Sequence, residues 1–114
     1  MFIMLFALWT LNGASAQPCL PEGITFTTQA QINSFQVNYP GCCQIGGTVV
    51  INGYNITNLL GLSVLTAIGG DLDIVNNAVL TSLSGLDGLA YVGGHFHCVE
   101  NPLLTSLSGL DNLV

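Results

Sequence analysis

The chain contains no lysine and no arginine among its 114 residues, against six acids, for a formal net charge of −6. Nucleic-acid affinity comes largely from Lys and Arg contacts to phosphate, so that partner class is argued against from the outset. Anionic membrane surfaces are disfavoured on the same ground. Also missing are the cationic side chains that would clamp a phosphoryl group or steady an oxyanion. No Gly-x-Ser-x-Gly elbow is present, and no motif calls for a cofactor. Asp71, Asp73, Asp87 and Asp111 read as strand-face or turn residues rather than the desolvated acid pair of a glycosidase. An enzyme is therefore not expected. Aromatic residues are sparse: the single Trp is Trp9, and the later repeats offer only Tyr54, Tyr91 and Phe96. Binding faces are usually richer in Tyr and Trp, which weighs towards a spacer or a low-affinity array.

Long apolar runs are lacking too. The most hydrophobic stretch, Met1–Leu11, falls short of the roughly 20 residues that cross a bilayer. Ala14-Ser15-Ala16 follows it with the small-x-small spacing of a signal-peptidase site. Residues 1–16 read as a secretory signal peptide cleaved before Gln17, although its usual positive leader is absent. Either the free amino terminus supplies that charge or Met1 is not the true start. A core helix is the competing reading. No cysteine directly follows the small residues, which argues against a lipid anchor. The expected location is secreted or cell-surface, with no membrane span once the signal is removed.

Four cysteines, Cys19, Cys42, Cys43 and Cys98, in an exported chain imply at least one disulfide. The vicinal pair Cys42–Cys43 is disfavoured by disulfide geometry. Cys19–Cys42 is favoured, because it ties the mature N-terminus to the start of the repeats. Cys98 reads as a buried free thiol, with a second disulfide to Cys43 open if the two lie within reach. A structural zinc site lacks the Cys-x-x-Cys spacing it needs.

What the chain does have is a repeat. Leu80-Thr81-Ser82-Leu83-Ser84-Gly85-Leu86-Asp87 returns unchanged as Leu104-Thr105-Ser106-Leu107-Ser108-Gly109-Leu110-Asp111, 24 residues later. A diverged copy, Ile56-Thr57-Asn58-Leu59-Leu60-Gly61-Leu62-Ser63, precedes both at the same interval. Fixed short periods mark solenoids, in which each unit buries its apolar face against its neighbours. Val49, Leu72 and Phe96 should stack inward, with Ile51, Ile74 and Cys98 beside them. Further apolar columns are Ile56/Leu80/Leu104, Leu59/Leu83/Leu107, Leu62/Leu86/Leu110 and Leu65/Leu89/Leu113, with Ile68 and Val92 closing each unit. Alternating polar and apolar residues in Gly69–Ile74 and Gly93–Cys98 predict strands with one buried face. The glycine pairs before them read as tight turns. Gly53, Asn77 and Asn101 share one site after the strand, which suggests a left-handed backbone there, and stacked asparagines could bond the turn backbones.

Ahead of the repeats, Pro18 and Pro21 mark an extended lead-in, and Ile24–Phe26 predicts a short strand. A helix over residues 27–36 follows, capped by Thr28 with Gln31 as its capping-box partner and carrying Ile32 and Phe35 on one edge. Pro40-Gly41 ends it. The organisation expected is a signal peptide (1–16), an N-terminal cap (17–44) and coils (45–114). The coils stop before a C-terminal cap, as in the N-terminal part of a longer protein.

Cys42-x-x-Ile45-x-Gly47-x-Val49-x-Ile51 resembles the opening of receptor L domains, the leucine-rich-repeat-like modules of growth-factor and insulin receptor ectodomains. Ile68-Gly69-Gly70-x-Leu72-x-Ile74, Asn76-Asn77 and Leu80-Thr81-Ser82-Leu83-x-Gly85-Leu86 are similar to secreted bacterial leucine-rich-repeat proteins. The likeness covers residues 19–114. It implies a mainly β fold, a right-handed leucine-rich-repeat/L-domain-like β-solenoid with 24-residue coils and a short N-terminal capping helix. Adhesion, ligand capture and plain spacing are the roles it implies.

The one constellation with chemical promise is outward on the strands. His95 and His97 alternate along one strand about 6.8 Å apart, and the period sets Asp71 and Asp73 beside them about 4.8 Å away. Such a patch could take a divalent cation or form pH-sensing His–Asp pairs. The plainer reading is a solvated strand face. Asn55-Ile56-Thr57 matches a glycosylation acceptor, a triplet common by chance. The function expected is a non-catalytic recognition or adhesion module binding protein or glycan through its strand face. The alternatives are a structural spacer for a distal domain, or cation binding at the His/Asp patch.

Overall fold

The computed structural model describes residues 18–110, 112 and 113. The expected signal segment, its cleavage site and Asp111 lie outside them. In chain order the elements are β1 (Ile24–Phe26), α1 (Gln29–Asn33), α2 (Phe35–Asn38), β2 (Gln44–Ile45), β3 (Val49–Ile51), a 3-10 helix (Leu60–Leu62), β4 (Ala67–Ile68), β5 (Leu72–Val75), β6 (Tyr91–Val92) and β7 (Phe96–Val99). They build two parallel sheets, a four-stranded one in the order β1-β3-β5-β7 and a three-stranded one in the order β2-β4-β6. The repeat sets the register, with an offset of 23 residues from β3 to β5 and 24 from β5 to β7. Val49 pairs with Leu72 and Leu72 with Phe96, while Ile51 pairs with Ile74 and Ile74 with Cys98.

This architecture corrects the expected mainly β, right-handed solenoid. The fold is a small α/β arrangement of two parallel sheets with a few short helices, and among the described residues no closed solenoid forms. The reason lies in the stretch between the sheets. From Asn76 to Ala90 the chain runs as turns closed on themselves, with Leu86 N–H donating to Leu83 C=O and Leu89 N–H to Leu86 C=O, at 3.1 and 3.0 Å. No strand ladder closes that path. In the earlier part of the chain, α1, α2 and the 3-10 helix stand there instead.

The inward columns form one apolar core. Val49, Ile51, Ile56, Leu59, Leu62, Leu72, Ile74, Leu80, Leu83, Leu86 and both Ile32 and Phe35 of the helices are 0 % exposed. Burying each such Leu or Ile stabilises the fold by roughly 1.5–3 kcal/mol before ordering costs. The last repeat differs. Phe96, Cys98, Leu104, Leu110 and Leu113 are only partly buried, and Leu107 is 55 % exposed although Leu83, its twin in an identical tract, is sealed. No further strand or turn covers β7 among the described residues.

At the other end the capping box forms as the sequence predicts. Gln31 N–H donates to Thr28 Oγ1, and Gln31 Oε1 accepts from the Thr28 backbone N–H. The expected single helix is two: the chain turns at Ser34 (φ −92°, ψ 0°), and Ile32 on α1 and Phe35 on α2 both reach the core. The Cys19–Cys42 disulfide is present, with Cα atoms 5.8 Å apart. It ties the lead-in segment, where Cys19 bridges to Ile45, to the start of β2.

Two turn assignments need revision. The left-handed residues are Asn76 and Glu100, both at φ 57°, one position before the site the sequence suggested. Gly53 does not share that conformation; a side chain there would collide with the Thr27 carbonyl. Nor do the glycine pairs use left-handed torsions. Gly69 lies so close to the Gly46 carbonyl that a Cβ would sit 2.5 Å from its oxygen. Close stacking of successive backbones, rather than turn geometry, is what those glycines permit.

Asn77 and Asn101 form the ladder that the sequence suggested. Asn77 is fully buried; its Oδ1 accepts from Gly53 N–H at 2.9 Å and its Nδ2 donates to Ile51 C=O at 3.0 Å. Asn101 repeats the pattern, accepting from Asn77 N–H at 3.1 Å and donating to Ile74 C=O at 2.8 Å. Amide side chains thus satisfy the backbone groups that strand pairing leaves over where the chain bends.

Candidate functional site

The outward face of the four-stranded sheet gathers all four residues singled out by the sequence. Register places Thr25, Val50, Asp73 and His97 in one row across β1, β3, β5 and β7. A second row lies just before the strands, where Asp71 N–H donates to Thr48 Oγ1 at 3.1 Å and His95 N–H donates to Asp71 Oδ1 at 2.8 Å. Period-2 alternation explains the placement: each of these residues flanks an inward Val, Leu, Ile or Phe.

His97 Nδ1 lies 2.8 Å from Asp73 Oδ1. An ionised carboxylate only accepts, so Nδ1 carries the proton and donates, leaving Nε2 as the free nitrogen of a neutral ring. His95 is held differently. Its ring Nδ1 is 3.7 Å from Asp71 Oδ1, beyond hydrogen-bond reach, because that oxygen already accepts the His95 backbone N–H. The two imidazoles lie stacked, with centroids 5.8 Å apart and planes 20° from parallel. In a chain without Lys or Arg, these are the only basic side chains, and each sits beside an acid.

The four-residue cation cage imagined from the sequence does not form. Among the described residues no group of three or more His, Cys, Asp and Glu side chains is arranged to hold a metal ion. Both carboxylates point at the protein's own donors, side chain in one case and backbone in the other.

Cys43 and Cys98 are free thiols on different sheets, Cys98 in β7 and Cys43 beside β2. Burial pushes the Cys98 thiol above its ordinary value of 9.0, while the Asn101 amide 3.5 Å away pulls it partly back. That combination makes a sluggish nucleophile. Asn55 and Thr57 of the glycosylation triplet are exposed, in a turn pinned by Gln29, whose Oε1 accepts from Thr57 N–H at 2.7 Å.

Sequence reasoning missed Thr48, Thr25 and Val50 as members of the same face. The signal that finds them is the register offset of the first repeat, where Val50 pairs with Asp73 only 23 residues on. Beyond this face, a hollow of about 300 Å³ lies in the last described repeat between Cys98, Glu100, Asn101, Leu104 and Leu107. Among the described residues no helix is long and apolar enough to cross a membrane. No protein-family model, curated protein or solved structure matches the chain, so its surface chemistry is the basis on which function is read.

Proposed function

We propose that this chain is a non-catalytic recognition or adhesion module, secreted or held at the cell surface, that takes a protein or glycan on the outward face of its four-stranded sheet. The observation that carries the reading is the face itself. Thr25, Val50, Asp73 and His97 run in register over four strands as one open, mostly polar surface. An extended partner suits such a surface better than a small molecule, which is normally enclosed in a concave pocket. The Cys19–Cys42 disulfide fits an oxidising compartment, where such bonds persist.

One observation favours the second reading, a spacer that carries a distal domain. The most exposed aromatic residues, Tyr54 and Tyr91 at 78 % and 55 %, lie off this face, Tyr54 in a turn and Tyr91 on the three-stranded sheet. Glycan arrays and a panel of extracellular proteins separate the two. A recognition module binds some member of the panel, loses it with Thr25→Lys or His97→Glu, and keeps it with Tyr54→Ala. Binding indifferent to both face variants removes the proposed surface, and silence across the panel leaves the spacer.

A further inference from the structure

We propose that His95 and His97 form a two-imidazole clamp for a divalent transition-metal ion, with Asp73 the outer partner of the His97 ring and Asp71 held by the His95 backbone, neither acid serving as a ligand. The inference stands apart from the recognition reading and does not rest on it. Its starting point is the tautomer. Asp73 fixes the proton on His97 Nδ1 at 2.8 Å, so the neutral ring keeps its lone pair on Nε2, in a side chain that is 55 % exposed. A carboxylate on the far nitrogen of a histidine is the arrangement that orients metal-ligating imidazoles and raises their basicity. Asp73 is spent on the His97 ring and Asp71 on the His95 backbone, and the two imidazoles are what remains to bind.

His95 completes the pair. It sits two residues away on the same face, its ring stacked 5.8 Å from that of His97. Its side chain is 82 % exposed and lacks a ring hydrogen bond to Asp71, so it is free to swing its nitrogen towards an ion held by His97. The net charge of −6 and the absence of any competing Lys or Arg favour cation approach. Imidazole nitrogen suits Zn²⁺ and Cu²⁺, with Cu²⁺ the tighter of the two by the general order of divalent affinities. Remaining coordination positions stay open to water or to a donor from outside the chain.

The test is a Zn²⁺ titration of the full chain followed at the imidazole nitrogens by NMR, so that metal taken by the free thiols is not counted. Both rings should respond together in a single one-to-one transition at micromolar metal. His95→Ala should weaken the His97 response by about tenfold or more, and Asp73→Asn by roughly 10–100-fold. His95→Ala should keep the parent unfolding midpoint, since that side chain is 82 % exposed. A Cu²⁺ titration should saturate at lower concentration than Zn²⁺. Imidazoles unmoved at millimolar Zn²⁺ overturn the proposal. So does a His97 response unchanged by His95→Ala, which would mean two independent weak contacts.

Discussion

Replacing Asn77 by Ala should be among the most damaging single changes available outside the apolar core. The side chain is 0 % exposed and makes three bonds, from Gly53 N–H at 2.9 Å, to Ile51 C=O at 3.0 Å and to Asn101 Oδ1 at 2.9 Å. Truncation strands the Gly53 donor and the Ile51 acceptor inside the protein. Each unsatisfied buried group costs about 1–3 kcal/mol, so a loss of roughly 3–4 kcal/mol is expected. That is a large share of the roughly 5–15 kcal/mol by which native domains are stable. Asn77→Asp should do no better, because its second oxygen would face the Ile51 carbonyl. Asn101→Ala should cost less, about 1–1.5 kcal/mol, since its site is only partly buried and water can replace the amide. Urea unfolding measures this directly: with a slope of about 1.5 kcal/mol/M, Asn77→Ala should lower the midpoint by about 2 M. A cost under about 1 kcal/mol, or one equal to that of Asn101→Ala, would refute the ladder as a source of stability.

Three further outcomes follow from the same coordinates. Leu83→Ala should cost about 2–5 kcal/mol and Leu107→Ala well under 1 kcal/mol, because identical octapeptides hold one leucine sealed and the other 55 % exposed; paired urea melts decide it. Glu100→Asn should raise the unfolding free energy by about 0.5–1 kcal/mol in urea melts, since φ 57° suits Asn better than Glu; no gain would mean that Glu100 makes a compensating contact. Because burial raises the Cys98 thiol above 9.0, the folded state holds that proton longer than the unfolded chain does. Its stabilising share is therefore complete below pH 9.0 and is lost as pH rises beyond it; Cys98→Ala should flatten that part of a stability–pH curve.

Much of the packing was legible in the sequence, because two periods coincide in it. Alternation within Leu72–Ile74 and recurrence 24 residues on at Phe96–Cys98 place each residue both on a face and in a column. His97 beside Asp73 follows from the same two numbers. Closure was not legible. Leucines spaced three apart, as at Leu80, Leu83, Leu86 and Leu89, are equally compatible with corners of a coil and with the self-closed turns found there. The glycines were misread for a related reason. Gly69 reports a carbonyl belonging to Gly46, a neighbour in space that no local reading brings near. Thr48 beside Asp71 follows from the stacking of Val49 on Leu72, although nothing in its residue type singled it out as a member of the site.

Among the described residues the two edges of the stack are built unequally, and the consequence is a direction of unravelling within them. The disulfide and the paired helices hold one end, while β7 and the partly exposed Leu104 and Leu107 form the other. Where units touch only their neighbours, local opening begins where neighbours are fewest. Amide protons should therefore exchange first along Phe96–Val99, later along Leu72–Val75 and last along Val49–Ile51. Whatever binds the histidine-bearing strand binds where the described stack is least covered, so a partner there would tighten the described strands from that edge inward.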